Sequence, residues 1–103
     1  MKSAPNLALV GPMGAGKSSV AAILAGRTGL ARVDVDAEVE RVAGTSVTAI
    51  FGHSGEAAFR ELEAAALQRL LQGSGLLVAT GGGAVLDPTS RARLAERAFV
   101  VHL

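Results

Sequence analysis

The run Gly11-Pro12-Met13-Gly14-Ala15-Gly16-Lys17-Ser18 satisfies the pattern G-x-x-x-x-G-K-[ST] at every fixed position. Before it, Asn6-Leu7-Ala8-Leu9-Val10 has the make-up of a short buried strand, and Ser19 to Ala25 after it reads as helix. Glycines between a strand and a helix let backbone N–H groups turn inward and approach an anion closely. The helix that follows adds the positive end of its dipole. The chemistry this order of elements serves is phosphate binding. Gly14, Ala15, Gly16, Lys17, Ser18 and Ser19 are the candidate nucleotide contacts, with Lys17 reaching the β- and γ-phosphates and Ser18 a ligand for Mg²⁺. The same feature constrains the fold, because a strand feeding a helix through such a loop opens a parallel α/β sheet.

The rest of the chain continues that alternation. Apolar periodicity predicts strands over 7–10, 32–34, 76–79 and 99–103 and helices over 17–28, 36–43, 56–71 and 88–97. Gly29 and Gly44 stand where helices end. Residues 46–51 read as a brief helical turn, and Gly52-His53-Ser54-Gly55 as the turn that delivers the longest helix. Phe59, Leu62, Ala66 and Leu70 share one face of that helix. Leu76-Leu77-Val78-Ala79 is wholly apolar and so is expected to be buried on both faces. Asp87 and Pro88 form a helix start, Asp87 as cap and Pro88 at the first helical position. The expected architecture is a three-layer α/β/α domain around a parallel sheet, one domain over all 103 residues.

Ligands in such sheets sit beyond the carboxyl ends of the strands. Three chemistry-bearing segments fall there: the phosphate loop, Asp34-Val35-Asp36 and Gly81-Gly82-Gly83. Asp34 can face a metal near Ser18 through water, since Mg²⁺ keeps part of its hydration shell. Asp36 either receives an acceptor hydroxyl or caps the next helix. Arg60 either grips a carboxylate bidentately or pairs with Glu56 four residues earlier, and spacing alone favours the ion pair. Three consecutive glycines offer N–H donors without side-chain obstruction, at an entropic cost that a plain turn seldom needs. His53 and His102 are isolated and read as structural or exposed.

Composition narrows the partners. A net charge of +1 and the absence of Trp and Tyr give no case for a nucleic-acid or anionic-membrane surface. Without cysteine, neither a disulfide nor a thiolate metal site is possible. No apolar run has the length of a membrane span. The first strand runs straight into the phosphate loop and leaves no room for a signal peptide, so a cytoplasmic protein is expected.

Taken in order and spacing, G-P-M-G-A-G-K-S, D-V-D with E-V-E, I-F-G-H-S-G-E-A-A-F-R-E-L-E and A-T-G-G-G-A-V resemble the shikimate kinases over essentially the whole chain. The phosphate loop alone is shared by a very large class of NTPases; the other motifs together are far more specific. The resemblance implies ATP-dependent phosphorylation of the 3-hydroxyl of shikimate. Carried onto this chain, Lys17 and Ser18 bind phosphate and Mg²⁺, and Asp34 supports the metal. Asp36 binds the acceptor hydroxyl and serves as base, and Arg60 holds the shikimate carboxylate. The backbone of Gly81, Gly82 and Gly83 contacts the substrate, and Phe51 and Phe59 shape its pocket. Family members run further, through an arginine-bearing lid, a further substrate arginine and a fifth strand. The expectation is therefore a monomer at full length, and a shortened chain that binds nucleotide weakly, self-associates and turns over poorly. The competing readings are another small-metabolite kinase or a nucleotide-binding module without catalysis.

Overall fold

Strand β1 (Asn6–Val10) is the centre of the molecule because it is apolar on both faces: Ala8 and Leu9 are fully buried and Val10 nearly so. In this computed structural model, which describes residues 5–11 and 16–103 and only the backbone of Ser18 and Gly82, β1 pairs in parallel with two neighbours. On one side lies β3 (Leu76–Thr80), with Leu7 opposite Leu77 and Val10 opposite Thr80. On the other lies β4 (Ala98–His102), with Asn6 opposite Ala98. Strand β2 (Ala31–Asp34) adds to the far side of β3, giving the order β2-β3-β1-β4. Each strand lies within one residue of its predicted span. All four run the same way, so their carboxyl ends share one rim.

Helices cover both faces. Helix α1 (Lys17–Thr28) packs Ala21 against Leu9 and Leu77. On the other face, α2 (Val35–Ala43), α3 (Val47–Leu71) and α4 (Pro88–Arg97) bury Val35, Val39, Phe59, Ala66, Leu67 and Leu94 against Ala8, Val10 and Val78. Gly29 and Gly44 close α1 and α2 in the left-handed conformation, at φ 74 and φ 72. Asp87 caps α4 by accepting from the Ser90 N–H, with Pro88 in the first turn.

Two local expectations are corrected. Helix α2 starts one residue earlier than predicted, and its cap is Asp34, whose Oδ1 accepts from the Ala37 N–H at 3.2 Å. The strand ends on Asp34 in extended conformation, which is the backbone a cap requires. Asp36 therefore lies inside the first turn. The turn expected over residues 52–55 is narrower than expected: Gly52 to Ser54 are helical, and α3 is two helices joined across a kink at Gly55, the second starting at Glu56 as the pattern predicted. Ser46 caps α3 and the Glu40 carboxylate accepts from the Val47 N–H at 2.8 Å, so the helix is secured from Val47 onward. The break is confined to Gly55, at φ 84 and ψ 176, a region only glycine occupies readily.

At the opposite end of the sheet, the buried Asn6 side chain ties three segments together. Its Nδ2 donates to the carbonyls of Gly73 and Arg97, and its Oδ1 accepts from the Leu76 N–H. Among the described residues no helix is long and apolar enough to cross a membrane.

Candidate active site

Helix α1 begins on Gly16, at φ 81, and Gly16 has no side chain with which to cap it. The first-turn N–H groups of α1 are thus offered to a ligand from outside the helix, the arrangement that accepts phosphate. Lys17 stands in that turn. Its Nζ donates to the carbonyls of Gly11, the residue after β1, at 2.7 Å and of Thr80, the last residue of β3, at 3.0 Å. The ammonium is thereby held over the strand rim by neutral acceptors, its charge unspent. Gly14 and Ala15, expected at the phosphates, lie outside the described residues, as does the Ser18 side chain. Ser19 follows on the exposed side of α1.

Asp34 and Asp36 flank the start of α2. The Asp36 carboxyl is raised above the ordinary carboxylate value. Partial burial is the main cause and the Asp34 charge the next. Lys17, and more weakly Arg60, pull the other way. Asp36 thus feels the phosphate-loop lysine, the second aspartate and the α3 arginine at once, which places four predicted site residues in one electrostatic neighbourhood.

Arg60 is held more firmly than its spacing from Glu56 implied. The Glu56 carboxylate lies 3.7 Å from Nε, whereas Glu63 Oε1 accepts from Nη1 at 3.0 Å. Glu63 is 4% exposed, and burial raises its carboxyl despite the arginine's opposing pull. The guanidinium also lies over the Phe59 ring, 5.4 Å from its centroid. Phe59 is buried in the core and stacks obliquely on the exposed Phe51, ring centroids 4.7 Å apart.

After β3 the chain passes Gly81 in extended conformation and enters a 3-10 turn over Gly82–Leu86. Neither Gly81 nor Gly83 has positive φ. Gly83 is small for another reason: a Cβ there would fall 2.6 Å from the Arg60 Cζ and Nη2. His53 and His102 are exposed.

Sequence reasoning assigned no role to two residues. Glu63 was detectable as a carboxylate three residues after Arg60, set among the apolar positions of α3. Thr80 is subtler: its carbonyl anchors Lys17, while its buried Oγ1 has no hydrogen-bond partner among the described residues.

Two cavities flank the constellation. One of about 430 Å³ reaches Arg60, Glu63 and Gly83 between α3 and the start of α4. The other, of about 440 Å³, reaches Lys17 and Asp34 from the β2 edge. Among the described residues no cluster of three or more His, Cys, Asp and Glu could hold a metal. A divalent ion at Asp34 would depend on phosphate oxygens, a hydroxyl and water, the mixed shell that suits Mg²⁺.

A family model described as shikimate kinase matches residues 13–103. A shikimate kinase of Stenotrophomonas maltophilia (strain K279a) is 57% identical over the whole chain, which spans 57% of that relative's length. Among solved structures, shikimate kinase from Acinetobacter baumannii in complex with shikimate superposes on 97% of the chain at TM-score 0.92 and 43% identity. The chain covers 56% of that protein. Shikimate kinase from Aquifex aeolicus superposes on 95% of the chain at TM-score 0.88 and 33% identity, and the chain covers 58% of it. These neighbours carry the P-loop NTPase fold, and the parallel four-stranded sheet is part of it.

Proposed function

The chain belongs to the shikimate kinase family, and on that premise we propose that its site transfers the γ-phosphoryl group of ATP to the 3-hydroxyl of shikimate. The observation that carries the reading is the held guanidinium of Arg60. Glu63 fixes one edge of it and Gly83 leaves room for it, so a planar fork is available to a carboxylate-bearing acceptor.

In this reading Lys17 and the first-turn N–H groups of α1 hold the phosphates, with Gly14 to Ser19 as the loop. Asp36 accepts the proton of the acceptor hydroxyl as its oxygen bonds to the γ-phosphorus. The bond to the β-phosphate oxygen breaks in the same displacement and ADP leaves. Arg60 and the backbone of Gly81, Gly82 and Gly83 orient the acceptor, with Phe51 and Phe59 beside it. Mg²⁺, held through Ser18 and Asp34, would neutralise charge on the phosphates. The chain would act as one P-loop domain in the cytoplasm, with small molecules as its ligands.

The test is shikimate-dependent ADP release, compared with quinate, gluconate and nucleosides. Selective turnover with shikimate is expected, falling by about 10²-fold or more in Lys17→Ala. Equal turnover with acceptors that lack a carboxylate would refute the assignment to shikimate.

A further inference from the structure

The β2 edge carries a cavity of which the proposed reaction uses only the Lys17 and Asp34 wall. Helix α1 buries Ala21 against Leu9 of β1 and Leu77 of β3, whereas Arg32 and Asp34 on the outer strand β2 stay exposed. There the cavity of about 440 Å³ is floored by the half-buried Ala79, with Ala21 and Leu77 fully buried beneath, and walled by Lys17, Arg32 and Arg41. Its volume lies within the range of small-molecule sites, roughly 300–1,000 Å³. Arg32 stands opposite Leu77 in the sheet register, so its side chain leaves β2 on the same face as that apolar floor.

The charges there are unevenly matched. Both carboxylates of the lining have partners. Asp34 caps α2, and Glu38 is held in the fork of Arg41 at 2.8 and 2.9 Å, with Arg69 at 3.2 Å on its second oxygen. Among the described residues Lys17 donates to neutral carbonyls alone. Arg32 makes no hydrogen bond or ion pair to a side chain among the described residues. Two cations without a carboxylate partner among the described residues therefore stand beside an apolar floor.

We propose that this cavity binds a small amphipathic carboxylate, its anionic head on Arg32 and its apolar body over Ala79, and that occupation inhibits phosphoryl transfer. A planar guanidinium matches a carboxylate, and the floor rewards an apolar body that inorganic phosphate lacks. Inhibition follows from the shared wall: Lys17 borders both this cavity and the phosphate site. The inhibitory half rests on the kinase reading; the binding half does not.

Benzoate is the probe, titrated into isotope-labelled protein with inorganic phosphate as the comparison. Benzoate is expected to shift the Ala79 methyl and Arg32 side-chain resonances, and Arg32→Ala to weaken it about tenfold. Arg32→Glu should abolish binding. If Arg32→Ala binds benzoate as the parent does, or if phosphate produces the same shifts, the site does not exist as described. In the kinetic arm, benzoate should inhibit the parent and spare Arg32→Ala, whose uninhibited kcat matches the parent. Binding without inhibition overturns the regulatory half. A parent without shikimate-dependent turnover refutes the kinase reading and leaves the binding result standing.

Discussion

The Arg60 guanidinium occupies the space where a side chain at Gly83 would begin, 23 positions further along the chain. Gly83 has no positive φ, so alanine suits its backbone and only the arginine has to move. Gly83→Ala is expected to raise the KM for shikimate about 10- to 100-fold, the worth of a charge-assisted pair of roughly 1.5–3 kcal/mol, with the KM for ATP nearly unchanged. Thermal melting should move little. Steady-state kinetics with each substrate varied in turn provides the check, and an unaltered shikimate KM would detach Arg60 from acceptor binding. Glu63→Ala, which frees the same guanidinium from its other side, should act in the same direction.

The Asn6 staple lies at the end of the sheet away from this site. Asn6→Ala removes three hydrogen bonds and leaves the buried N–H of Leu76 and two carbonyls to find other partners. At about 1 kcal/mol each the loss is about 3 kcal/mol, or about 15 °C in Tm for a domain of this size. Asn6→Asp should do no better than alanine, since it keeps the acceptor, loses both donors and sets a carboxylate beside two carbonyls. Calorimetry reads the stability, and kcat measured well below Tm should match the parent.

Much of the fold could be read from sequence because its punctuation is local. Gly29, Gly44 and the Asp87-Pro88 pair each act through a single turn of backbone, and each sits where the pattern put it. The central strands were legible because a strand buried on both faces has no polar alternation. The cap of α2 was misplaced because Asp34 and Asp36 both suit a cap, and only the point where β2 releases the chain decides between them. Gly52 and Gly55 look alike in sequence, yet only Gly55 breaks the helix. The roles of Glu63 and Gly83 depend on where the Arg60 side chain travels after the helix and the 3-10 turn have packed, and spacing along one helix cannot contain that information.

Glu38 supplies a pH test of the clamp between α2 and α3. The fork of Arg41 and the single hydrogen bond from Arg69 lower its carboxyl from 4.5 to about 2. A depressed folded value means that the contribution to stability is present above 4.5, the unfolded value, and is lost as pH falls through about 2. Glu38→Gln should therefore be less stable than the parent at neutral pH, and the gap should close as the pH is taken down through that window. Urea titrations at a series of pH values measure it, and a gap that persists unchanged at low pH would mean that the side chain acts through packing instead of charge.

Asp36 gives the sharpest test of the chemistry. Partial burial and the neighbouring Asp34 raise its carboxyl above the ordinary 3.8. A base must be ionised, so the acid limb of kcat/KM for shikimate should lie above that value. Glu40 also pushes it upward. Glu40→Gln removes that charge while its amide oxygen can still accept from the Val47 N–H, so the limb should move to lower pH with the fold intact. Asp36→Asn should cost about 10²-fold or more in kcat and remove the limb altogether. If the limb survives in Asp36→Asn with near-normal kcat, another group takes the proton. If it is lost in Asp36→Asn but unmoved in Glu40→Gln, Asp36 is the base and the charge at residue 40 does not reach it.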